Sequence, residues 1–228
     1  MRAIILGSGP DLEQWSVSSE NPYTLRDWQR ESFSDAGIED LVVIPSTLGR
    51  NRLGLLVSAA RYLEEGPCLV AYGELAIQSD VLRAMTSGID PIEIAFEPGD
   101  NATRSAGSER FRVLYNATHR LTGILTTPRE IRRSPAHGSG RMVGLWRLSQ
   151  EGWSQIRRAL EFLSSEERHR LDIPGLLARL VRSGTQVRLV PVKGDWREVV
   201  APESVELGER AIAPRRRSRA APSLLRAA

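Results

Sequence analysis

Short apolar runs separated by amphipathic stretches set the pattern of this chain. Ala3-Ile4-Ile5-Leu6, Leu41-Val42-Val43-Ile44, Cys68-Leu69-Val70-Ala71-Tyr72 and Ile92-Glu93-Ile94-Ala95-Phe96 are the runs of the first half. Runs of that length with little polar alternation fit strands buried on both faces. The stretches between them carry helix signals. Thr24 has Asp27 at the spacing of a capping box, Leu25, Trp28 and Ala36 can share a face, and Gly37 supplies a C-terminal stop. A second helix is expected from Arg52 to Glu65, with Leu53, Leu56, Val57, Ala60 and Leu63 inward and Gly66-Pro67 ending it. Ser79 is expected to cap a third, carrying Val81, Leu82 and Met85. Strand and helix alternating in this way predict right-handed crossovers and a mainly parallel sheet.

The second half has shorter connections. Phe111 to Tyr115, Leu121 to Leu125 and Met142 to Leu148 read as strands, with a Pro/Gly/Ser-rich loop over 128–140. Ser149 opens a helix with Trp153, Ile156, Leu160 and Leu163 inward. Asp172 and Pro174 are a cap and a first-turn proline for a helix from Leu176 to Val181, which Gly184 terminates, and Gln186 to Val192 is a last strand. The fold class expected is α/β: a single-domain, Rossmann-like, mixed but mostly parallel sheet flanked by helices.

Composition adds a boundary. Of the chain's net charge of +3, five arginines (Arg215, Arg216, Arg217, Arg219 and Arg226) lie in the last 18 residues; removing them leaves residues 1–210 at −2. The basic character therefore belongs to the end of the chain. The expected division is a domain over 1–209 and a disordered Arg-rich tail over 210–228, a solvated segment rather than a nucleic-acid grip. No apolar run approaches the roughly 20 residues that cross a bilayer, and the first strand turns polar too soon to be an export signal. A lone cysteine, Cys68, offers neither a disulfide framework nor a cysteine zinc site. The cytoplasm is the expected location, with no membrane partner.

Candidate chemistry gathers at two strand ends. Tyr72-Gly73-Glu74 closes the third strand with a glycine and a carboxylate, and ligands of open α/β sheets bind beyond the carboxyl ends of strands. A strand ending in a solvated acid is the alternative these residues leave open. Gly7-Ser8-Gly9 follows the first strand as a short glycine turn whose N–H groups could cradle an anion. The fuller dinucleotide pattern is missing, because Asp11 and Leu12 stand where a third glycine would be needed. His119, His137 and His169 lack metal spacing and read as surface or loop residues.

Several segments in order resemble the nucleotidyltransferase family that includes sugar-phosphate and phosphocholine cytidylyltransferases. They are Ala3 to Gly9, Asp35 to Val43, the Asn51/Leu53/Leu56/Ala59 spacing, Tyr72-Gly73-Glu74, Gly144 to Ser149, and Gly194 to Val199. The resemblance spans nearly residues 3–206. It implies transfer of a nucleotidyl group, with CTP favoured, from an NTP to a small phosphate- or phosphonate-bearing metabolite, with pyrophosphate leaving. Gly7, Ser8, Gly9, Tyr72 and Gly73 would then bind the nucleotide, and Glu74 would hold Mg²⁺.

The chain departs from the family at places that matter. The family's glycine loop is followed by an Arg and a Pro-Lys pair, where this chain has Pro10-Asp11-Leu12 and a single lysine, Lys193. Glu74 replaces the first metal aspartate. Val200 stands at the second, leaving Glu198 or Glu203 as substitutes. Arg50, Arg52 or Arg141 would have to supply the missing cation, and Arg141 precedes Gly144 where it would suit a carboxylate, phosphate or phosphonate acceptor. The alternative is a relative that binds a nucleotide or a protein partner without turnover.

Overall fold

A computed structural model describes residues 1–7, 24–49, 51–99, 112–125, 138–193 and 196–199. Strands β1 (Arg2–Leu6), β2 (Asp40–Ile44) and β3 (Cys68–Tyr72) form parallel ladders in the order β2-β1-β3. Leu6 lies opposite both Ile44 and Tyr72, so the three strands end together. Beyond β3 the sheet continues through β8 (Gly138–Leu148), β5 (Ile92–Pro98) and β9 (Arg188–Pro191). β8 runs antiparallel between β3 and β5, whereas β9 is parallel to β5. A branch of β6 (Arg112–Tyr115) and β7 (Leu121–Leu125) attaches to the first part of β8. The result is the expected mixed, mostly parallel α/β sheet.

Helices cover both faces: α1 (Leu25–Asp35), α2 (Arg52–Ser58), α3 (Ala60–Glu65), α4 (Ser79–Thr86), α5 (Gln150–Glu161), α6 (Ser165–Arg170) and α7 (Ile173–Arg182). Alternation along the strands splits the core in two. Ile4, Leu6, Val70 and Tyr72 join Leu53, Leu56, Trp146, Trp153 and Leu176 on one face. Ala3, Ile5, Leu69 and Ala71 join Phe33, Leu75, Leu82 and Trp196 on the other. A small ribbon of β4 (Leu75–Ile77) and β10 (Trp196–Glu198), paired antiparallel, sits in the second cluster.

Several local expectations need correction. β2 is not fully buried: among the described residues it pairs only with β1, and Leu41, Val42 and Val43 are half-exposed at that edge. The helix expected over 52–65 is two helices meeting at Ala59, which is buried, while Val57 points outward. Ser79 is the first helical residue of α4, not its cap, and Asp80 accepts from the Val81 N–H instead. On α1 the buried stripe is Leu25, Gln29, Ser32 and Phe33, with Trp28 and Ala36 half-buried. β4, β10 and α6 had no expectation; the first two have three residues each, too short for periodicity to register. His119 is a turn residue as expected, half-buried, with its ring packed edge-on to Phe96 and Tyr115. The tail at 210–228 lies outside the described residues.

Candidate active site

The site grows from the aligned ends of β1 and β3. The Gly73 N–H donates to the Leu6 carbonyl at 2.7 Å, and the Gly7 N–H donates to Ile44 at 2.8 Å, so each ladder runs one residue past its strand. Gly7 is needed for close approach, since a Cβ there would stand 2.9 Å from the Ile44 carbonyl oxygen. Glu74 follows directly and is buried, at 4% exposure. Gly7 and the carboxylate therefore share one end of the sheet on neighbouring strands. Ser8 and Gly9 lie outside the described residues, as do Arg50, Val200 and Glu203.

The Gly73-Glu74 turn is pinned from behind by Gln29 of α1. Its Nε2 donates to the carbonyls of Gly73 and Leu75 at 2.9 Å each, with Tyr72 at 3.4 Å. A turn that leaves its carbonyls buried needs such a donor, because an unsatisfied buried carbonyl costs about 1–3 kcal/mol. Sequence reading passed over Gln29 because a polar residue within an amphipathic helix defaults to the solvent face. The signal available was its spacing, one turn from Leu25 and one from Phe33.

Among the described residues, two carboxylates converge on Arg52. Its Nη2 is ion-paired with Glu74 Oε1 and lies 3.2 Å from Glu198 Oε1. Glu198 arrives on β10, opposite Leu75, and the Val199 N–H donates to the Glu74 carbonyl at 2.8 Å. Ribbon pairing thus brings together two acids that are far apart in sequence. The Arg52 guanidinium also lies 4.3 Å from the centroid of the Tyr72 ring. That ring rests against Gly144, whose φ is +76° and where a Cβ would come 2.5 Å from Tyr72 Cδ2. Gly144 occupies a bulge in β8, where the step from Ile94 to Phe96 on β5 faces the longer step from Trp146 to Met142.

Arg141 is placed differently. It sits opposite Glu97 on β5, its guanidinium 4.2 Å from the centroid of Trp196, two residues before Glu198. Of the sequence candidates, the structure gathers Tyr72, Gly73, Glu74, Glu198 and Arg52, with Gly7 on the adjoining strand. A separate cavity of about 620 Å³ lies between the 46–49 turn, α2 and α6. None of the gathered residues lines it, and its polar groups are engaged locally: Asn51 with Gly54 and Leu171, Arg168 with Leu163, His169 with Ser165.

No family model matches the chain, and no curated protein sequence matches it. Solved structures do. A UDP-glucose pyrophosphorylase complexed with UDP-glucose aligns with a TM-score of 0.67 over 94% of this chain and 99% of its own, at 11% identity. A CMP:2-keto-3-deoxy-manno-octonic acid synthetase complexed with CTP aligns at 0.62 over 94% and 100%, with 12% identity. The inositol-1-phosphate CTP transferase from T. maritima aligns at 0.57 over 92% and 95%, with 14% identity. The chain has the nucleotidyltransferase fold. Identities this low carry the fold alone, so chemistry has to be argued from this chain's residues within it.

Magnesium is the ion the nucleotidyltransferase fold leads one to consider. Among the described residues no group of three or more His, Cys, Asp and Glu side chains gathers to hold a metal. The Glu74 and Glu198 oxygens nevertheless converge on one point, and Mg²⁺ is commonly held by one or two carboxylates together with substrate phosphates. Carboxylate oxygens are the donor type Mg²⁺ takes. A guanidinium nitrogen stands at the convergence point.

Proposed function

We propose that this protein binds a nucleoside triphosphate, CTP by preference, over the ends of β1 and β3 and transfers its nucleotidyl group to a small phosphate- or phosphonate-bearing metabolite. The observation that carries this reading is the shared end of the sheet: Gly7 and Glu74 on adjacent strands, joined through the Gly73–Leu6 hydrogen bond. An acceptor oxygen would attack the α-phosphorus, the bond from that phosphorus to its bridging oxygen would break, and pyrophosphate would leave with the electron pair. A phosphate or phosphonate oxygen is already largely anionic near pH 7, so no side chain need act as general base. Mg²⁺ held by Glu74 and Glu198 would offset charge building on the phosphoryl oxygens. The chain's own part is to orient: Gly7, its N–H already donated to Ile44, keeps the strand end free of a side chain, and the Arg52 guanidinium, steadied by Tyr72, reaches phosphate oxygens.

The test is pyrophosphate release with each of the four NTPs, Mg²⁺ and a panel of phosphate and phosphonate acceptors. Release should favour CTP and fall at least about 100-fold in Glu74→Ala, as loss of a group acting in the transition state does. A second reading, a relative that binds a nucleotide or a partner protein without turnover, is favoured by one observation: Arg52 lies on the carboxylates a metal would need. NTP binding with no release from any acceptor would decide for it.

A further inference from the structure

The position of Arg52 poses a question that the transfer reading leaves open. It is the first residue of α2, and a cation in a first helical turn opposes the helix dipole, so local structure does not account for it. Its contacts among the described residues are tertiary and include two carboxylates and the face of Tyr72. Glu74 is buried, and a buried carboxylate without a cation is costly. The Arg52 side chain keeps 27% exposure, so it stands at the rim with the acid beneath it. A guanidinium and a divalent ion cannot share the point where the two oxygens meet.

We propose that Arg52 is a placeholder cation. In the absence of ligand it compensates Glu74 and Glu198. When a triphosphate binds, its oxygens draw the guanidinium away, since planar guanidinium pairs well with phosphate, and the vacated carboxylates become available to a divalent ion. Metal affinity is therefore low until nucleotide is present. This rests on the transfer reading for the identity of the ligand, but the exchange itself is a property of Arg52 and the two acids.

The experiment measures free Mn²⁺ by electron paramagnetic resonance without nucleotide, because Mn²⁺ binds nucleotide itself in solution. Wild-type protein should bind Mn²⁺ at least about tenfold more weakly than Arg52→Met, within the usual range of coupling between sites. Adding Glu198→Gln to Arg52→Met should remove the gain. Metal-free CTP binding, in EDTA, should fall at least about tenfold in Arg52→Met. If Arg52→Met fails to fold, as checked by circular dichroism, Arg52→Gln takes its place. Equal Mn²⁺ affinity with and without Arg52, or tight wild-type Mn²⁺ binding abolished by Glu74→Gln, overturns the placeholder whatever the transfer assay gives. Absent pyrophosphate release with the Mn²⁺ difference intact overturns the transfer reading and leaves the placeholder standing.

Discussion

Gly144 shows how much one missing side chain can position. Its φ of +76° is one that L-residues adopt at a cost, and the Tyr72 ring fills the space a Cβ would take. The same ring carries the Arg52 guanidinium. Gly144→Ala should therefore cost at least about 1–3 kcal/mol in chemical denaturation, the usual scale of backbone strain at such positions. It should also disturb nucleotide binding without touching a ligand. Gly144 stood in the sequence as part of a recognisable segment, but the reason for it is a tyrosine 72 residues earlier. Glu74 was legible as a carboxylate at a strand end, and Arg52 and Glu198 through the resemblance, as stand-ins for a missing cation and a missing metal carboxylate. Their convergence was not, because spacing along the chain carries no information about three elements meeting.

Helix α1 formed where its local signals put it. The α1 cap is complete: Thr24 Oγ1 accepts from the Asp27 N–H at 3.1 Å, and Asp27 Oδ2 accepts from the Thr24 N–H at 2.9 Å and its hydroxyl at 2.7 Å. The Thr24 hydroxyl, then its N–H, holds the Asp27 carboxyl below the ordinary carboxylate value. A lowered folded-state value means the unfolded chain takes up the proton first. The contribution is thus complete above about pH 3.9, the ordinary value for aspartate, and is lost as pH falls from there through the lowered one. Asp27→Asn should flatten that acid limb in urea titrations across pH, and Thr24→Ala should cost about 1 kcal/mol near neutrality. Elements without local signals followed their neighbours. β10 is three residues that become a strand because β4 is there to pair with, and β2 is half-exposed because no strand among the described residues pairs with its outer edge.

At the scale of the molecule, the sheet ties two cores into one unit. Consecutive residues of β1 and β3 enter opposite clusters, Ile4 and Val70 on one side, Ile5 and Leu69 on the other, so neither face can melt without breaking ladders that serve both. Leu56→Ala on one face and Leu82→Ala on the other should each cost about 2–5 kcal/mol. Each variant should unfold in a single transition, coincident by tryptophan fluorescence and circular dichroism. The same sheet aligns the ends of β1, β2 and β3, and that alignment places the site. The described residues contain no helix long and apolar enough to cross a membrane.

The order of apolar runs and capped helices was enough to specify an α/β sheet, because burial on two faces and helix capping are written in neighbouring residues. The direction of β8, the edge position of β2 and the meeting of Arg52 with two acids were decided only by tertiary structure. Strand pairing joins residues across more than a hundred positions, and a buried charge takes its partner from whatever the completed fold brings within reach.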